Sequence, residues 1–98
     1  MASIELAEGT NSDFERILAH LETHEVEGAL DRIDEIIAAI DVLAQSPHIG
    51  RPVSDGQREL VIGRRSHGYV ARYSYDSVKD VVRILAIRHQ REGGITQR

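Results

Sequence analysis

Five arginines in the second half of the chain, Arg58, Arg72, Arg83, Arg88 and Arg91, are the residues best suited to chemistry. A guanidinium pairs in fork geometry with carboxylates and phosphates alike, so several on one surface make an anion-binding site. Arg72 and Arg83 have a second explanation, as cross-strand partners of Glu59 or Asp80 or as solvated charges. His20 and His24 stand four apart on one helix, a spacing that metal sites use. Glu22 is misplaced for a His-Glu-x-x-His site and no third ligand is evident. The pair is better read as cations at a helix's negative end, and no metal or cofactor is expected. Tyr69, Tyr73 and Tyr75 share a strand face and can form a stacking platform for bases. Only Phe14 otherwise supplies aromatic bulk, so they are expected to fill the core with their hydroxyls at its rim.

These residues belong to a chain whose halves differ in charge. Two arginines against eleven carboxylates leave residues 1–50 at −9, and ten basic residues against five carboxylates leave residues 51–98 at +5, which gives the net −4. The split predicts an acidic layer and a basic layer, the second able to meet an anionic partner. Ninety-eight residues suffice for one domain spanning 1–98 with one modest core. With no cysteine, disulfides, thiolate metal sites and a cysteine nucleophile are excluded. The opening residues lack the basic start and apolar run of a signal peptide, and no apolar stretch approaches the roughly 20 residues that span a bilayer. The expected location is the cytoplasm, with no membrane partner.

Patterning supplies the elements that position the arginines. Residues 4–8 alternate apolar and polar as a short strand does, and Gly9-Thr10-Asn11 breaks it. A helix follows, capped by Asn11 or Ser12, with Phe14, Ile17, Leu18 and Leu21 on one face and an end near His24. A second helix carries Val26, Ala29, Leu30, Ile33, Ile36, Ile37, Ile40, Leu43 and Ala44 in one stripe until Pro47 stops it. A short connection around Glu25 makes the two a hairpin. Residues 46–56, with both prolines, read as a loop crossing to a meander of three strands, 59–62, 69–75 and 81–88. The last is apolar on both faces and is therefore expected to be the central strand. Residues 93–98 are polar and read as a frayed tail. The order β-α-α-β-β-β gives an α+β fold: a helical hairpin on one face of a small, largely antiparallel sheet, the other face open for function.

That order, the Pro-His-Ile-Gly-Arg-Pro loop at 47–52, the Arg58-Glu59-Leu60-Val61 strand start, Gly68-Tyr69 and the closing run from Ile84 to Glu92 together resemble the RelE/ParE family of bacterial toxins. The resemblance covers nearly the whole chain. It implies the toxin of a type II toxin–antitoxin module, as in plasmid stabilisation, complexed and neutralised by a small cognate antitoxin whose acidic, amphipathic tail docks in a groove or adds a strand.

Two activities occur in such a family: ribosome-dependent cleavage of messenger RNA, and inhibition of DNA gyrase without cutting. Metal-free RNA cleavage needs a base for the 2′-hydroxyl, an acid for the leaving oxygen and cations beside the phosphate. The resemblance implies lysines on the first meander strand and an arginine after Gly-Tyr, but Val61, Ile62, Gly63 and Val70 stand there, and the tail lacks a tyrosine. Arg91 alone matches clearly. An alternative nuclease site can be assembled from Arg58, His89 and Arg91, with Glu92 and His67 as further candidate members and His89 as acid or base. A sequence pI of 5.7 is poor equipment for approaching ribosomal phosphates. The reading is a ParE-like gyrase inhibitor using Arg58, Arg72, Arg83, Arg88, His89 and Arg91 toward antitoxin or target. A third possibility is a non-toxic, antitoxin-binding module.

Overall fold

The computed structural model describes residues 1–23, 29–63 and 68–89. Its elements are β1 (Ser3–Leu6), α1 (Thr10–Thr23), α2 (Ala29–Val42), β2 (Arg51–Pro52), β3 (Gln57–Ile62), β4 (Tyr69–Asp76) and β5 (Val81–His89). They form one five-stranded sheet in the order β1-β5-β4-β3-β2. β1 runs parallel to β5 and every other pairing is antiparallel. Both helices pack on one face, as expected. The connection at 24–28, with His24, and the loop residues 64–67, with His67, lie outside the described residues, as do Arg91, Glu92 and the tail.

The core is made where the apolar stripe of each helix meets alternate strand residues. Ile17 of α1 and Ile36, Ile40 and the following Leu43 of α2 are buried against Tyr69, Ala71 and Tyr73 of β4 and Val82, Ile84 and Ile87 of β5. A bulge lets β5 keep that face. Arg72 opposes Ala86 and Tyr73 opposes Ile84, so Leu85 is an extra residue and the inward set shifts from Val82 and Ile84 to Ile87 and His89. β4 rather than β5 takes the sheet's centre: β1 and β2 add one strand to each side of the meander, so β5 is internal, flanked by β1 and β4.

Strand ends shift by one or two residues from sequence expectation, and two larger differences affect the packing. α1 begins at Thr10 rather than behind a cap at Asn11 or Ser12, because Gly9 already accepts the Asp13 amide and the Thr10 hydroxyl is spent on β5. The crossing loop also contains a strand. Asp55 and Gly56 both have positive φ, 54° and 74°, and the Gln57 amide donates to Ser54, forming the primed turn that suits a tight hairpin. That turn folds Arg51 and Pro52 back onto Glu59 and Arg58 as β2.

Candidate functional site

Strand register decides which arginines share a surface. Glu59 opposes Arg72, Ser74 opposes Arg83 and Val70 opposes Arg88, whereas the tyrosines of β4 point to the helices. Arg72, Arg83 and Arg88 therefore lie on the face away from the helices. Arg51, in register with Glu59, joins them from β2. From the sequence, Arg51 belongs with His48 and Gly50 to a crossing loop that either holds a recognition surface or only turns the chain; the Asp55-Gly56 turn instead puts it on a strand of this face.

The charges on this face are largely paired. The Glu59 carboxylate is 2 % exposed and accepts from Arg72 Nη2 at 2.6 Å and Arg51 Nη2 at 3.0 Å. Burial works to raise its pKa, but the hydrogen bonds and charges of Arg72 and Arg51 outweigh that and hold it below the usual 4.5. Arg83 approaches Glu5 only to 3.8 Å, with both side chains more than half exposed. Arg51 at 69 % and Arg83 at 53 % are thus the open face's most accessible described guanidiniums. Val70, on the same face, is buried.

Arg58 lies on the other side of the sheet. It opposes Tyr73, and its Nη1 donates to the carbonyls of His48 at 3.1 Å and Gly50 at 2.7 Å. The fully buried Tyr73 donates from its hydroxyl to the Pro47 carbonyl and accepts from the Gly50 amide, each at 2.8 Å. His48 meets Tyr75 edge to face at 5.3 Å, and the Tyr75 hydroxyl donates to Asp80, whose hydrogen bond holds its pKa above 10.0. Arg58, Tyr73 and Tyr75 thereby fasten residues 47–50 to the sheet end. The core placement of the tyrosines was legible, but their hydroxyls were assigned only to a rim.

His89 also faces the helices, 5.1 Å edge to face from Tyr69 and 6.4 Å between ring centres from His20. Arg58 and His89 oppose Tyr73 and Tyr69, four residues apart on β4, about 13 Å at the usual strand rise. Among the described residues these two do not converge on one phosphate.

Beyond Leu6, β5 outruns β1, and α1 supplies what a strand would. Thr10 Oγ1 donates to the Ile84 carbonyl at 3.0 Å, Asp13 Oδ2 accepts from the Ile87 amide at 3.0 Å, and Arg16 donates to the Ile87 carbonyl at 3.1 Å. Spacing of three along the helix places all three on one face. Asp13 also accepts from Arg88 at 2.6 Å, so the guanidinium reaches from the open face around the strand edge. Asp13→Ala is expected to destabilise the domain by about 2 kcal/mol, since the Ile87 amide loses its partner, and Asp13→Asn by less. Urea denaturation midpoints of the three proteins test this.

The remaining feature is an apolar groove of about 540 Å³ where the helices meet β1. β1 contributes Ile4 and Leu6, and α1 contributes Phe14 and Leu18. From α2 come Ile33, Ile37 and Ile40, while Glu15 and Asp41 stand exposed among the lining residues. Leu6 and Ile37 are 46 % and 45 % exposed, so apolar surface is open to solvent here.

Solved structures of toxin–antitoxin systems share this architecture. A chain of the chromosomal ParDE system of P. aeruginosa superposes with a TM-score of 0.73 at 22 % identity, over 91 % of this chain and 96 % of that one. A chain of the intact E. coli RelBE complex gives 0.61 at 13 % identity, over 91 % and 96 %. The fold is thus that of the RelE/ParE toxins. The family model for the ParE toxin of type II toxin–antitoxin system, parDE, matches residues 4–93, and the curated Toxin RelE3 of Caulobacter vibrioides is 34 % identical over 92 residues, covering 94 % of this chain and 98 % of that protein. The chain belongs to the RelE/ParE family of type II toxin–antitoxin toxins.

Proposed function

We propose that this toxin acts by binding a protein target, DNA gyrase being the foremost candidate, through the arginine-bearing open face of its sheet, and that it does not cleave RNA. The observation that carries this is the state of the cations. Arg58 is spent on loop carbonyls, Arg72 on Glu59 and Arg88 on Asp13. Val61, Ile62 and Val70 occupy positions where the resemblance to RNA-cleaving relatives implies cations, and Val70 is buried. A surface of paired arginines still recognises carboxylates, because the accessible Arg51 and Arg83 offer donors to a docking acidic segment. Arg91 belongs to the same proposal from the C-terminal side. The antitoxin neutralises the toxin by covering it, with an amphipathic segment in the groove between the helices and β1.

A second reading, a ribosome-dependent endoribonuclease, draws on the RelE name of the Caulobacter relative. Inducing the chain without its antitoxin separates the two. The expected result is filamentation and double-strand breaks with intact messages, at least about tenfold less killing by Arg51→Glu/Arg83→Glu, and no change with His89→Ala. Message cuts abolished by His89→Ala would establish the nuclease instead, and unimpaired growth would indicate a non-toxic binding module.

A further inference from the structure

The groove is unusual in its charge. It has an apolar floor, yet the only charged side chains among its described lining residues are two carboxylates, Glu15 on α1 and Asp41 on α2. Both are exposed, and neither is committed to an ion pair among the described residues. Asp34 and Glu35, further exposed carboxylates of α2, extend the negative surface without lining the groove.

An acidic segment suits the arginine face, but here it would set like charge against Glu15 and Asp41. An apolar segment without charge would fill the floor and gain nothing from those carboxylates. A segment with an apolar stripe flanked by Lys or Arg satisfies both parts, since long cationic side chains lay their methylenes over apolar surface and carry their charge to the edge. Charge placed around an apolar contact changes specificity more than raw affinity, by penalising the wrong partner.

We infer that Glu15 and Asp41 are specificity-determining residues that make the groove select a partner helix whose apolar stripe is bordered by basic residues. The inference rests on the groove being the antitoxin's docking site and adds the chemistry of the segment that docks. The antitoxin's tail then carries two kinds of charge: basic residues bordering the apolar stretch in the groove, and acidic residues where it meets Arg51 and Arg83.

Two synthetic helical peptides with the same Leu/Ile stripe, one bordered by Lys and the other by Glu, provide the test. Each is titrated against the full chain by fluorescence anisotropy at low and high salt. The Lys peptide is expected to bind about fivefold or more tightly, a margin that shrinks at high salt. Glu15→Gln/Asp41→Asn should bring the two peptides within about twofold, whereas Asp34→Asn/Glu35→Gln should leave the preference intact. Ile37→Asp, at a half-exposed position whose replacement spares the core, should weaken both peptides.

Equal affinity for both peptides, or a preference that survives Glu15→Gln/Asp41→Asn, would overturn the selection by these two carboxylates. Binding of both peptides unaffected by Ile37→Asp would instead overturn the groove as the docking site. Circular dichroism of each variant confirms that it is folded before either conclusion is drawn.

Discussion

Gly50→Ala is expected to destabilise this domain by about 3 kcal/mol, which for a chain of this size lowers the melting temperature by roughly 12–20 °C. A Cβ at position 50 would sit 2.6 Å from the Tyr73 hydroxyl oxygen, 2.7 Å from its ring and 2.9 Å from the Glu59 carbonyl. None of these atoms can retreat cheaply. Tyr73 has no exposed surface and its hydroxyl is held on both sides, by the Pro47 carbonyl and the Gly50 amide, while the Glu59 carbonyl is β3 backbone. Displacing the ring would break both hydrogen bonds and open the core beside it. Thermal unfolding followed by circular dichroism measures the effect, and a loss below about 1 kcal/mol would show that the loop yields more easily than its contacts imply.

Glu59→Gln should have the second large effect, about 2–3 kcal/mol at pH 7, and its pH dependence identifies the cause. Removing the charge leaves Arg72 and Arg51 without their counter-ion, and Arg72 already has a buried Nε with no hydrogen-bond partner among the described residues. The full cost of a sealed ion pair does not apply, because Arg51 is 69 % exposed and water screens it. The folded carboxyl titrates below its ordinary value of 4.5, so its contribution is fully present above 4.5 and is lost as pH falls through the lower folded value. The stability gap between the wild-type protein and Glu59→Gln is therefore expected to be constant near neutral pH and to close below about pH 4.5, as read from denaturation midpoints at a series of pH values. A gap that persists into strong acid would point to lost packing rather than lost charge.

The helices, the three-strand meander and the core were readable because each rests on local periodicity. Tyr69, Ala71 and Tyr73 alternate as one strand face and are buried together. Ile36, Ile40 and Leu43 recur at helical spacing and meet them. The cross-strand reading of Arg72 with Glu59 was also available from two runs facing each other in a meander. What could not be read depends on contacts far apart in sequence. Thr10, Asp13 and Arg16 look like an ordinary first turn and its charges, and nothing local says that they satisfy backbone groups of β5 some seventy residues later. Arg58 was assigned to anion binding from its side-chain type. Its actual partners, the carbonyls of residues 48 and 50, were invisible until the loop was placed. The groove escaped notice for a related reason: Ile37 and Leu6 fit their apolar patterns, and only the packed layers show that the floor stays uncovered.

These placements bear on function together. The clasp of residues 47–50 and the pairing of α1 with β5 fix the loop and the β5 edge, leaving Arg51, Arg72 and Arg83 on one face, the first two held by Glu59, while the Arg88 guanidinium turns to Asp13. Arg51 and Arg83 are the most accessible described guanidiniums on that face.

The most direct measurement is the supercoiling of relaxed plasmid by purified DNA gyrase as the purified toxin is added. Loss of supercoiling, reversed by the antitoxin and weakened by Arg51→Glu/Arg83→Glu, is the predicted result. Full gyrase activity at saturating toxin, together with cleavage of ribosome-bound message by the same preparation, would contradict it.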